Sequence, residues 1–139
     1  MQQLKGLLAS TYALYLKTQN FHWHIEGSDF FELHELFGAQ YNILANDIDK
    51  IAEMIRILGE KAPATFRELI EHNKIEDSEN NLSPKQMVQN LIEDYKSILT
   101  IIANTIDALP SSEIGLKQEL SELYAKYQKN NWMLESWSK

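Results

Sequence analysis

The chain has 139 residues, 44% hydrophobic and 24% charged, with a formal net charge of −7 and no cysteine. That size and balance predict one globular domain over residues 1–139 with a sizeable core. They exclude disulfides, thiolate metal sites and a cysteine nucleophile, and the acidic balance argues against broad nucleic-acid binding, which needs a concentrated basic face. No apolar run approaches the roughly 18 residues of a membrane span. The opening MQQLKGLLASTYALYLK lacks the basic end and continuous apolar block of a signal peptide. The expectation is a cytoplasmic protein with no membrane partner.

The first helix is expected over about Gln2–Phe21, with Leu4, Leu7, Leu8, Tyr12, Tyr15 and Leu16 on its apolar stripe. In Asp29–Leu58 the residues Phe30, Leu33, Phe37, Tyr41, Leu44, Ile48, Ile51, Ile55 and Leu58 recur every three or four positions. That is one face of a second helix. Asp29 with Glu32 suggests a capping box at its start, and Gly59 followed by Pro63 marks its stop. Ala64–His72 predicts a short extra helix and Glu76–Asn81 a loop. A third long helix, Pro84–Leu109, carries Met87, Leu91, Ile98, Ile102, Ile106 and Leu109. Ser83 is its expected N-cap, with Pro84 at the first helical position and Gln86 completing a box. After Pro110-Ser111-Ser112, a fourth helix presents Leu116, Leu120, Leu123, Tyr127 and Leu134. Helical period throughout, without strand-like alternation, predicts an all-α antiparallel four-helix bundle. The short extra helix falls in the crossover between the second and third long helices.

The chemistry concentrates in Asn20–Glu53. His22, His24 and His34 lie close in sequence, and Asp49 and Glu53 follow one turn apart on one helical face. Imidazole with carboxylate suits iron, zinc or manganese. His34 and Asp49 are fifteen positions apart, or roughly 22 Å along a helix at ~1.5 Å per residue. One metal ion cannot reach both within a chain. An antiparallel second copy brings them together, with its two-fold axis near Tyr41–Asn42 and His22 joining His34 at the helix junction. The expectation is a pair of identical sites between subunits. The residues three before the histidines are Gln19, Phe21, Phe31 and Leu69, so the paired Glu-x-x-His design of an intrachain di-iron bundle is excluded. His24 is read as a surface or supporting residue, and Asp47 as part of a solvated face. Trp132 and Trp137 are read as core or subunit contacts.

The run His22-Trp23, Gly27, Phe30, Leu33-His34-Glu35, Asp49 and Ala52-Glu53, closed by Leu58-Gly59, resembles the Dps-type mini-ferritins. The likeness extends from Leu14-Tyr15 to Trp132-Met133-Leu134. It implies a ferritin-like homo-oligomer, a hollow twelve-subunit shell built from two-fold dimers. It also implies a ferroxidase that oxidises Fe(II), mainly with hydrogen peroxide, stores ferric mineral and protects against oxidative stress. By the match, His22 and His34 of one subunit and Asp49 and Glu53 of its neighbour bind iron; Glu53 is our expected ligand shared between two irons. Trp23 matches the aromatic beside the oxidation site, and Glu35 is what remains of an acidic cluster for mineral nucleation. Three departures stand out. Gly38 occupies the place of a carboxylate one turn after the second histidine. Gly38 and Ala39 thin the acidic cluster, and Gly115–Gln118 replaces aspartates of an entry pore. Without a lysine-rich tail, the expectation is protection by oxidant removal rather than by coating DNA. The alternative is a degenerate shell that sequesters metal with weak or no oxidation.

Overall fold

The structure, a computed structural model, describes residues 1–139. Five helices follow one another: α1 (Gln2–His24), α2 (Phe30–Ile57), α3 (Phe66–His72), α4 (Pro84–Ala108) and α5 (Ile114–Ser138). The long helices α1, α2, α4 and α5 form the bundle, and α3 lies against α1.

Contacts along the helices fix their directions. The terminal amine of Met1 pairs with Glu60, just beyond the end of α2, so α1 and α2 run antiparallel. Lys17, late in α1, meets Asp94 in the first half of α4. Gln2 and Gly6 line a cleft with Ile101 and Asn104 near its end. Gln40 reaches Asn130, and Asp47, further along α2, reaches Lys126 and Tyr127. Each adjacent pair is therefore antiparallel. Since α2 and α4 run the same way, the chain must return along the bundle between them, and the segment carrying α3 does this.

The ends form as local chemistry requires. Ser83 accepts the Gln86 N–H, and the Gln86 side chain accepts the Ser83 N–H, giving α4 the expected capping box. Thr65 caps α3 through the Glu68 N–H. At the end of α2, Gly59 has a φ of +86°; its N–H donates to the Arg56 carbonyl and that of Glu60 to Ile55. This closing turn needs a left-handed residue, which glycine supplies without steric cost. The box expected at Asp29 does not form: Asp29 has bridge-region dihedrals (φ −98°, ψ 17°) rather than the extended ones of a capping residue, and its side chain caps nothing. The first helix also runs past Phe21 to His24, which carries His22 on a helical turn.

The core joins Leu4, Leu7, Leu14, Phe21, Leu33, Phe37, Leu44, Ile51, Leu91, Ile98, Ile102, Leu120, Tyr127 and Leu134, among others. Two residues expected in it face outward: Tyr12 and Leu16 are 41% and 58% exposed. The inward face of α1 instead uses Thr11 and Thr18, whose hydroxyls donate 2.7 Å bonds to the carbonyls of Leu7 and Leu14. These bonds satisfy the buried hydroxyls within the helix.

Asp47 corrects the solvated-face expectation. It is 1% exposed and accepts hydrogen bonds from Tyr127 Oη at 2.8 Å and Lys126 Nζ at 2.6 Å. Burial, with the negative charge of Asp47 adding to it, pushes the Tyr127 phenol well above its ordinary value. Lys17 Nζ is likewise buried, 2.9 Å from Asp94 Oδ2 and 3.0 Å from the Glu76 carbonyl. Burial raises the Asp94 carboxyl above its ordinary value despite that ammonium, so desolvation outweighs the attraction.

Candidate metal centre

The turn between α1 and α2 is short, and Gly27 within it has a φ of +107°, so the chain reverses sharply. His22, in the last turn of α1, comes to lie beside His34, in the second turn of α2. Their rings stack with centroids 3.8 Å apart and planes 14° from parallel. Two reciprocal hydrogen bonds hold them: His22 Nδ1 to the His34 carbonyl at 2.6 Å, and His34 Nδ1 to the His22 carbonyl at 2.7 Å. The His22 carbonyl is available because the last carbonyls of a helix have no partner within it.

That clasp settles which ring nitrogen can bind a cation. A carbonyl only accepts, so each Nδ1 must carry the proton and donate. In the neutral ring this leaves a lone pair on each Nε2, and neither Nε2 has a hydrogen-bond partner in the chain. Backbone carbonyls that fix the tautomer in this way are the usual support of a metal-binding imidazole. The pair is wedged on both sides. Phe30 stacks on His34 with centroids 4.9 Å apart, and Tyr41 meets His22 edge-on at 5.2 Å.

The carboxylates lie elsewhere. Asp49 and Glu53 are exposed on α2, one turn apart and far along the helix from His34. No cluster of three or more histidine, aspartate or glutamate side chains able to hold a metal forms within one chain. The structure thus joins His22 with His34 and keeps Asp49 and Glu53 apart from them. His24 points into a separate arrangement, with Nδ1 bonded to the carbonyl and side chain of Asn20. Glu35 is exposed, as is Trp23 at 60%. With Tyr12 and Leu16, Trp23 forms an exposed apolar stripe along α1. Neither His22 nor His34 lines the larger clefts: one of 730 Å³ near His24 and Glu79, one of 590 Å³ around Gly6 and His72, and one of 570 Å³ around Lys17 and Asp94.

Residues 1–139 match the ferritin-like domain family throughout. The chain belongs to that family. Within it, the chain is a Dps-type mini-ferritin. It is 34% identical to general stress protein 20U of Bacillus subtilis, over 99% of this chain and 95% of the relative. It is 31% identical to DNA protection during starvation protein 2 of Bacillus anthracis, over 98% and 94%. The crystal structure of Dps from Vibrio cholerae, described as a member of a broad superfamily of ferritin-like diiron-carboxylate proteins, superposes with a TM-score of 0.93. That pair shares 28% identity, covering 99% of this chain and 87% of the other. As a mini-ferritin, the chain has the all-α bundle expected for the family, and no helix is long and apolar enough to cross a membrane.

Proposed function

We propose that this mini-ferritin binds and oxidises Fe(II) at sites shared between two copies of itself, and stores the ferric product inside a twelve-subunit shell. In each site His22 and His34 come from one subunit and Asp49 and Glu53 from its neighbour. The observation that carries this reading is the reciprocal imidazole clasp, which leaves both Nε2 atoms without a partner on rings 3.8 Å apart, in a chain without a third ligand nearby. The exposed stripe of Tyr12, Leu16 and Trp23 along α1, the helix that carries His22, supports a second copy against that helix. A two-fold interface repeats every contact, so one antiparallel pairing completes two sites.

The donor set suits iron as substrate. Two imidazoles and two carboxylates match a borderline divalent cation, and the carboxylates offset the added charge when iron becomes ferric. Each Fe(II) supplies one electron; hydrogen peroxide takes two electrons and two protons and leaves as two waters. Drawing the electrons from two irons in this way avoids releasing hydroxyl radical. Trp23, exposed next to His22, is assigned as an electron donor to the oxidation site, and Glu35 as a place for mineral to start. A cytoplasmic location is part of this proposal. A charge of −7 per subunit favours protection through removal of iron and peroxide over coating of DNA.

A second reading rests on Gly38, which offers no ligand: an assembled shell that sequesters metal but oxidises it slowly. Anaerobic Fe(II) titration of the assembly, followed by peroxide, separates the two. Rapid ferric absorbance that is lost in His34→Ala and Asp49→Ala supports the ferroxidase. Equally slow oxidation in all three proteins supports the sequestering shell.

A further inference from the structure

Gly38 lies one turn after His34, buried under the imidazole pair. A Cβ built on it would stand 2.9 Å from His22 Cε1 and 3.0 Å from His22 Nδ1, closer than carbon atoms pack. The obstruction is the ring of His22, and that ring has little freedom to yield. Its Nδ1 is held by the His34 carbonyl at 2.6 Å. His34 lies against it at 3.8 Å, and Tyr41, from the next turn of α2, closes on its edge. Glycine in the middle of a helix is unfavourable relative to alanine, and Gly38 has an ordinary helical backbone, absent from the residues with positive φ. Backbone conformation therefore gives no reason for glycine here, whereas the ring does.

We infer that Gly38 is a positioning residue, whose missing side chain is the space that lets His22 clasp His34 with both Nε2 atoms free. The inference deepens the proposed metal site and rests on it. Position 38 is then not a ligand position left vacant. With the His22 ring seated as it is in this chain, a side chain at position 38 displaces that ring, disturbs the Nδ1 bond that fixes its tautomer, and weakens the paired donors.

Two readouts test this, and only one involves metal. In the metal-free assembly labelled with 15N-histidine, NMR should detect Nδ1–H signals for both clasped rings, removed by His34→Ala. Gly38→Ala should remove them too, while circular dichroism and particle size stay as in the wild type, because alanine suits the helix. Titration with Co2+, followed by its visible ligand-field bands, should show affinity about 10–100-fold weaker in Gly38→Ala, the cost of losing a group that orients a ligand. Gly38→Asp should bind Co2+ no more tightly than the wild type. Unchanged Nδ1–H signals and Co2+ affinity in Gly38→Ala would overturn the inference, as would tighter binding in Gly38→Asp. If the wild type shows the clasped signals but no Co2+ binding sensitive to His34→Ala, the metal reading fails first and takes the positioning role with it.

Discussion

Replacing Asp47 with alanine should destabilise the bundle through one stranded hydroxyl. Tyr127 is fully buried, and its O–H donates only to Asp47, at 2.8 Å. Removing the acceptor leaves that hydroxyl unsatisfied, at a cost of about 1–3 kcal/mol. Lys126 is 37% exposed, so its ammonium turns to water and adds at most ~1 kcal/mol. The expected loss is about 2–3 kcal/mol, a fall in thermal midpoint on the order of 10 °C for a chain of this size. Tyr127→Phe alone should cost ~1 kcal/mol. The double variant should be more stable than the sum of the two by about 1–2 kcal/mol, because phenylalanine has no hydroxyl to strand. Thermal unfolding followed by circular dichroism, at one fixed subunit concentration, measures the cycle, since assembly shifts the apparent midpoint. Single-variant losses that add to within ~0.3–0.5 kcal/mol would refute the coupling. A loss below ~0.5 kcal/mol for Asp47→Ala would place that carboxylate in solvent.

Four further outcomes are expected. Lys17→Met should cost about 3–5 kcal/mol near neutral pH by leaving Asp94 charged without its partner, and much less in acid where Asp94 is protonated; unfolding midpoints at both pH values test this. Because burial raises the Asp94 carboxyl, the folded state prefers its protonated form. Its contribution to stability is full below the ordinary aspartate range and falls as pH rises through the raised value. Asp94→Asn should therefore gain on the wild type as pH rises from about 3 to neutral, and a difference that runs the other way would reverse the assigned cause. Burial also raises the phenols of Tyr95 and Tyr127, so stability should fall as pH climbs past about 10, where the unfolded chain ionises. Tyr127→Phe should blunt that fall in an alkaline titration followed by circular dichroism. Finally, Ser83→Ala should lower stability by ~1 kcal/mol through loss of the capping box, and hydrogen exchange at the start of α4 should rise with it.

The long helices were legible because hydrophobic spacing reports which face is buried, and Ser83, Pro84 and Gln86 reported where α4 begins. The polar residues of the core were harder to see. The inward face of α2 runs Leu33, Phe37, Gln40, Leu44, Asp47, Ile51 and Met54, all buried. Steps of three and four pass straight through Gln40 and Asp47, so the spacing held the signal although the residue types masked it. On α1 the reverse occurred. Tyr12 and Leu16 resemble core residues, yet they face outward, where one chain's sequence cannot separate its own core from a surface for another copy. Asp29 failed as a cap because its backbone lies in the bridge region and not the extended one, which residue type does not disclose. The approach of His22 to His34 followed from the turn at Gly27, but the clasp between Nδ1 atoms and carbonyls did not, since it depends on how closely α1 and α2 approach. Gly38 read as a missing carboxylate in sequence; in three dimensions it has an imidazole where its side chain would be.

The central claim is that each site takes imidazoles from one subunit and carboxylates from the other, and complementation tests it most directly. His34→Ala and Asp49→Ala chains, each inactive alone, would be refolded together in equal amounts and assayed for Fe(II) oxidation by peroxide. A mixed dimer carries one site with both defects and one with none, so random pairing should restore roughly a quarter of wild-type activity. Recovery near that level, absent from either variant alone, is the expected result. No recovery in mixed assemblies of confirmed composition would mean that the ligands do not combine across the two-fold interface, and would contradict the account.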